Sequence, residues 1–257
     1  MNCLIINQFK RAGQFFILSL LFFIQPLIAE AETVTIAVSA NLRETFEELK
    51  ISFEEKTEHT IKTVVGSSGI LTAQIRKGAP YDIFLAANMS YPDMLYRNGI
   101  TTNKPILYAL GSLALWKKAS IQGNKVGLHS LINTKITRVA IANPRFAPYG
   151  IEAFKALEKS GTLDVLKKKI VYGNSVSQVN GYIFTGSVDV AITAKSSAMS
   201  PALKNKGVWS EIDRSLYDPI QQGALLLKKT LASQAFMDFL LSSEGTAILK
   251  NHGYDTP

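Results

Sequence analysis

A Gly-Ser-Ser-Gly turn at residues 66–69 separates a β-branched run from an amphipathic stretch, V-V-G-S-S-G-I-L-T-A-Q-I-R. A serine where a chain enters a helix sets its hydroxyl beside backbone N–H groups that have no intrahelical partner. Those groups point outward at the positive end of the helix dipole, so the same turn can hold an oxyanion with no lysine or arginine nearby. Taken alone, Ser67 and Ser68 read most plainly as an ordinary helix cap. Repetition changes that reading. Ser39-Ala40-Asn41-Leu42, Ala147-Pro148-Tyr149-Gly150 and Asn174-Ser175-Val176-Ser177 stand in the same place, after a strand pattern and before a helix pattern. Ligands of open α/β sheets collect at the carboxyl ends of the strands, so helix starts that share a cleft predict a site for a small oxyanion. Neutral donors suffice for it: about six hydrogen bonds to a charged partner contribute roughly 9–18 kcal/mol, against an association cost of about 4–15 kcal/mol. A wet, half-open site would bind weakly, because the ion must recover its lost hydration from these donors.

The elements that must position these turns follow from periodicity. Thr33 to Val38 alternates as a first strand, and Leu42, Phe46, Leu49 and Phe53 mark one face of a helix with Asn41 as its expected N-cap. Ile61–Val65 and Tyr81–Ala87 read as the next strands, with a helix through Lys77 between them and one carrying Met94 and Leu95 after them. After an apolar segment from Tyr108 to Trp116, broken at Gly111-Ser112, the pattern restarts. Strands are expected at Val139–Ala142, Ile170–Tyr172 and Val188–Thr193, and helices after Gly150 and from Val176 to Phe184. Strands alternating with helices at this spacing imply a largely parallel sheet covered on both faces. The predicted fold is therefore α/β with two lobes, each a mostly parallel sheet flanked by helices. Lobe 1 takes residues 32–110 and 217–257, and lobe 2 takes 111–216. Two short crossings between them make a hinge, where one floppy tether would let the lobes drift.

Residues 1–31 read as a cleaved secretory signal: Lys10 and Arg11, an apolar run from Phe15 to Ile24, then Ala29-Glu30-Ala31. The single cysteine, Cys3, lies inside that segment, so the exported chain is expected to carry neither a disulfide nor a thiolate metal site. The formal charge is +8, which favours acidic partners at long range. Its basic residues are scattered, however, and aromatic residues do not interleave with them as in a nucleic-acid groove. No nucleic-acid partner is expected, and Lys167-Lys168-Lys169 reads as a solvated face. His59, His129 and His252 lack metal-ligand spacing, and Trp116 and Trp209 read as packing residues.

Together, A-V-S-A-N-L (37–42), G-S-S-G (66–69), A-Q-I-R-K-G-A-P-Y-D-I-F-L-A-A (73–87), I-A-N-P-R-F-A-P-Y-G (141–150), N-S-V-S-Q (174–178) and H-G-Y (252–254) resemble the periplasmic molybdate-binding proteins of ABC importers. The resemblance covers essentially all of the chain after the leader. It implies a type II-like periplasmic binding protein that closes on molybdate or tungstate and delivers it to a permease in the inner membrane, as a monomer and without a cofactor. Carried over by position, molybdenum is held as its oxyanion by Asn41 with the backbone of Ala40, by the hydroxyl and backbone of Ser68, and by the backbone N–H groups of Tyr149 and Val176. Two departures concern the contacts. Asn41 stands where many relatives have serine, though asparagine also occurs there and its NH₂ can donate, and Ala194 stands where some contribute a tyrosine hydroxyl, so either Tyr149 compensates or the site has one contact fewer. Asp82 matches a family position, but a carboxylate beside an anion would repel it, so a structural cap or an interlobe bond is expected there.

Rival readings keep the scaffold or discard it. Sulfate, phosphate or a carboxylate could occupy the same cleft. Phosphate retains a proton near neutral pH and needs an acceptor, yet none of the four turns contains Asp or Glu. An exported hydrolase using Ser67 or Ser68 would need a base within reach, and neither a G-x-S-x-G elbow nor a histidine beside a turn is present. A sensory protein whose ligand only switches a docking surface is the third class.

Overall fold

The computed structural model describes residues 31–121, 127–132 and 135–257. The expected signal segment, Cys3 included, lies outside the described residues except for Ala31. No helix among the described residues is long and apolar enough to cross a membrane.

Among the described residues ten strands form two five-stranded sheets. The first contains β1 (Thr33–Ser39), β2 (Thr60–Gly66), β3 (Ile83–Ala86), β4 (Ile106–Gly111) and β10 (Ile220–Leu226), in the order β2-β1-β3-β10-β4. The second contains β5 (Leu113–Lys118), β6 (Val139–Ala142), β7 (Ile170–Gly173), β8 (Val190–Ala194) and β9 (Gly207–Glu211), in the order β7-β6-β8-β5-β9. The helices that matter for the site are α1 (Arg43–Lys56), α2 (Ser68–Arg76), α3 (Ser90–Arg97), α4 (Pro148–Lys159), α5 (Val176–Phe184), α6 (Leu231–Leu241) and α7 (Ser243–Asn251).

The sheets are mostly parallel, as the alternation predicts, but each contains one reversed strand. β10 runs antiparallel to β3 and β4, and β5 runs antiparallel to β8 and β9. The reason is geometric. Both strands receive the chain as it crosses from the other lobe, β4 passing into β5 at Ser112 and β9 leading back to β10. A chain that arrives at the cleft edge of a sheet must run away from it, whereas the other strands run toward it.

Burial follows the strand period. Val34, Ile36 and Val38 of β1 face one side, where α1 and α6 cover them with Phe46, Phe53, Phe236 and Leu240. Phe53 meets Phe236 edge to face with ring centroids 5.4 Å apart. Ala37 faces the other side with Phe84 and Ala86, under Leu71 and Ile75 of α2 and Leu95 of α3. The second sheet has its own core, in which Val139, Ile141 and Ile192 pack against Ala153, Leu157, Val179 and Ile183. Trp116 and Trp209 are register partners on β5 and β9, Trp116 buried in that core and Trp209 packed against it.

Asp82 is a local structural residue. Its Oδ2 accepts from Thr35 N–H at 2.7 Å, at the end of the sheet away from the strand termini that carry the turns, so the interlobe alternative does not hold. His252 pairs with Glu48, and His59 accepts from Glu32 N–H. Among the described residues no group of His, Cys, Asp and Glu could hold a metal ion.

Candidate oxyanion site

The four turns meet. A small cavity between the lobes is lined from the first by Ser39, Ala40, Asn41, Ser67, Ser68 and Ala87, and from the second by Ala147, Pro148, Tyr149 and Val176. Every residue that the sequence singles out for ligand contact, Ala40, Asn41, Ser68, Tyr149 and Val176, is on this surface. Its volume is about 10 Å³, far below the roughly 300–1,000 Å³ of ordinary organic-ligand pockets. A larger hollow of about 420 Å³ on the second lobe is lined by side chains of opposite charge, Lys159 against Glu211 and Asp213.

Each turn leaves donors unspent for a specific reason. Helix α4 begins with Pro148, which has no N–H, while Gly150 and Ile151 donate to Ala147 O; Tyr149 N–H is the orphan that remains. Ser175 caps α5 by accepting from Gln178 N–H, three residues into the helix, and leaves Val176 N–H at the first position. In α2, Ser68 is the first residue and is fully buried. Its Oγ accepts from Ala87 N–H at 2.9 Å, which leaves the hydroxyl proton for an acceptor in the cavity. The residues that line the cavity carry no acidic or basic side chain. An anion there would be compensated by dipoles alone.

Two expectations about caps need correction. Asn41 does not cap α1: the chain enters through a 3-10 turn at Ala40–Leu42 with Ser39 at the capping position. The Asn41 amide instead donates to Gln222 Oε1 and to the Tyr254 hydroxyl, both at 2.9 Å, so the two hydrogens of its NH₂ are engaged inside the protein. What Asn41 offers the cavity is its backbone. Nor does either serine of the Gly-Ser-Ser-Gly turn cap α2, since Ser67 makes no capping bond and Ser68 turns to Ala87.

The support for Asn41 was not visible in sequence. Tyr254 donates to Asn41 O at 3.0 Å, and Ser196 of the second lobe donates to the same oxygen at 3.0 Å. Gln222, fully buried on β10, orients the amide and donates in turn to Ile220 O and Ala87 O. These partners are 181 and 213 residues away from Asn41 along the chain. One signal was available: strand alternation sends one of the adjacent Gln221 and Gln222 inward, where it has to find a partner. The Tyr149 hydroxyl reaches the hinge, against Gly111 and beside Tyr254, and Ala194 is not among the cavity residues.

The lobes are in contact around the cavity. Gly69 N–H donates to Phe146 O at 2.9 Å across the cleft, and the Ser177 hydroxyl donates to Ala40 O at 3.4 Å.

Two predictions arise here. Ser68→Ala removes a hydroxyl donor and strands Ala87 N–H; oxyanion affinity is expected to fall by about 1–3 kcal/mol, read by calorimetric titration, and an unchanged affinity would mean that Ser68 serves Ala87 alone. The second concerns the buried tyrosines. Burial raises Tyr108 and Tyr149 well above the usual range, and pushes Tyr254 up to about 12 against the opposing hydrogen bonds with Ser196 and Asn41. A tyrosine whose pKa is higher folded than unfolded keeps its proton after the unfolded chain has lost it. Its contribution is complete below about pH 10 and is lost as the pH climbs through the folded value. The urea midpoint should therefore decline from about pH 10 upward, and less steeply in Tyr254→Phe; identical alkaline slopes would contradict this.

The model of the bacterial extracellular solute-binding protein family matches residues 34–255. The chain is 36% identical over 234 residues to the molybdate-binding protein ModA of Rhodobacter capsulatus, covering 90% of this chain and 91% of that protein. It is 33% identical over 230 residues to ModA of Azotobacter vinelandii, covering 88% and 91%. Among solved structures, the Azotobacter vinelandii periplasmic molybdate-binding protein superposes with a TM-score of 0.80 at 31% identity, covering 87% of this chain and 99% of that one.

Proposed function

This chain belongs to the bacterial extracellular solute-binding protein family, and we propose that it captures molybdate, and tungstate with it, between its two lobes and delivers the oxyanion to the permease of an ABC importer. The observation that carries the reading is the cavity itself: helix starts from both lobes converge on a space of about 10 Å³ with no acidic or basic side chain on its wall. Fixed N–H groups and serine hydroxyls suit a fully ionised tetrahedral dianion. A singly protonated phosphate would need an acceptor, and no carboxylate is there to provide one. Relatives named for molybdate binding, at 36% and 33% identity over most of the chain, point to the same ligand.

In this reading Ser68 and the backbone of Ala40 and Asn41 receive the ion on the first lobe, and Tyr149 N–H and Val176 N–H complete its shell when the second lobe closes. The hinge crossings are the two strand connections, near Ser112 and between β9 and β10. The protein acts as a monomer in the periplasm, where the signal segment sends it, and the face presented to the permease exists only when the lobes are shut.

Calorimetric titration of protein stripped of bound anion, in a buffer free of sulfate and phosphate, is the test. Tight binding of molybdate and tungstate with much weaker sulfate binding is expected. A flat molybdate trace beside a strong sulfate or phosphate trace would remove the ligand assignment.

A further inference from the structure

We propose that the hydroxyls of Ser39 and Ser67 are oxyanion donors, which makes the first lobe a platform of three serine hydroxyls, with Ser68, on which the ion is held before the second lobe closes. The inference rests on the oxyanion-binding reading above and adds residues that the family pattern did not bring forward. Ser39 and Ser67 are 1% and 3% exposed, their Oγ atoms have no hydrogen-bond partner, and both residues line the cavity. A buried hydroxyl without a partner is costly to keep unless something fills the vacancy in use.

Position sharpens the point. Ser39 and Ser67 each occupy the capping position of a helical segment, with ordinary extended backbone angles (φ −63, ψ 140 and φ −73, ψ 149), yet neither side chain caps. At three other helix starts Ser175, Thr230 and Ser242 accept from the backbone N–H three residues on, whereas Ser200, away from the cavity, caps nothing. At Ser67 one customary partner is already committed, because Gly69 N–H donates across the cleft to Phe146 O. Ser39 is the register partner of Gly66 on the neighbouring parallel strand, so Ser67 follows one residue beyond the pair. Adjacent strands lie about 4.8 Å apart, a separation that one tetrahedral ion can bridge with two of its oxygens.

The lobes consequently contribute in different ways. The second lobe lines the cavity with Ala147, Pro148, Tyr149 and Val176, whose available donors are backbone N–H groups fixed by their helices. The first lobe adds hydroxyls that rotate to follow the ion. An encounter with the first lobe alone is then productive, and closure supplies the rigid half of the shell.

The experiment titrates wild type, Ser39→Ala, Ser67→Ala, the double variant and Ser68→Ala with molybdate, and with sulfate in parallel, and follows thermal unfolding of each protein without anion. Each single variant should lose affinity by at least about tenfold, the double variant more, with the anion-free midpoint unchanged or slightly raised because an unpaired buried hydroxyl has gone. Affinities within about twofold of wild type, while Ser68→Ala is weakened, would overturn the inference and leave the proposed function standing. A lost affinity accompanied by a lowered anion-free midpoint would assign the serines to structure and overturn it equally. If wild type binds sulfate and not molybdate, the function reading fails, and the same variants titrated with sulfate decide the donors. If wild type binds neither, both fall.

Discussion

Gly69→Ala should weaken oxyanion binding by one to two orders of magnitude while leaving the anion-free protein as stable as before. A Cβ at this position would stand 2.9 Å from Phe146 O and 3.1 Å from Phe146 Cα, backbone atoms of the opposite lobe, and 2.8 Å from the Tyr91 hydroxyl. Tyr91 can move; the backbone across the cleft cannot without opening it. Overpacking of this kind costs about 1–3 kcal/mol, which is roughly a 5- to 150-fold loss of affinity. Within the first lobe the substitution is harmless. Gly69 is the second residue of α2, its φ is not in the left-handed region, and alanine there favours the helix by a few tenths to about 1 kcal/mol. Loss of affinity with retained or improved thermal stability separates closure from folding. A variant that binds as tightly as wild type would show that the Gly69–Phe146 contact plays no part in closing the cleft.

Gly150→Ala should act on the fold instead. A Cβ at Gly150 would meet Ala142 O at 2.1 Å and the Ala142 carbonyl carbon at 2.7 Å, so the start of α4 lies directly against the end of β6. Neither backbone can yield without moving the helix whose first free N–H, that of Tyr149, faces the cavity. A loss of about 2–3 kcal/mol is expected, equivalent to a melting point lower by roughly 5–10 °C for a chain of this size. Binding should fall as well, since Tyr149 N–H moves with the helix. A melting point within about 1 °C of wild type would contradict the packing described here.

The sequence carried the positions of the turns better than the bonds within them. Leu42, Phe46, Leu49 and Phe53 recur at helical spacing and are all buried against the first sheet. Ser68, Tyr149 and Val176 were legible because each sits where a strand pattern gives way to a helix pattern, and short-range order fixes that boundary. The reversal of β5 and β10 was not legible, because strand direction depends on which edge of the sheet the chain enters after crossing between lobes. The engagement of the Asn41 amide with Gln222 and Tyr254 was hidden for a related reason: nothing local to Asn41 indicates residues so distant in sequence. Ser67 looked like a cap because serine before a helix usually is one, and at the first turn the expected cap was Asn41, not Ser39. Only the folded structure, in which neither Oγ has a hydrogen-bond partner, shows that both hydroxyls are unspent.

Surface charge does little of this work. Arg214 joins Asp255, and Lys155 joins Asp218, through exposed pairs that are worth about 1 kcal/mol or less each. The excess positive charge of the whole chain draws anions toward it over long range, but the proposed function puts discrimination among them in the uncharged wall of the cavity.

Crystals of the protein grown with molybdate and measured at the molybdenum absorption edge test the central claim most directly. The account predicts a single anomalous peak in the cavity, within hydrogen-bond reach of Ser68 Oγ and of the N–H groups of Tyr149 and Val176, with the two lobes in contact at Gly69 and Phe146. A peak held by lysines elsewhere on the surface, or a loaded protein whose helix starts stand apart from the metal, would contradict it.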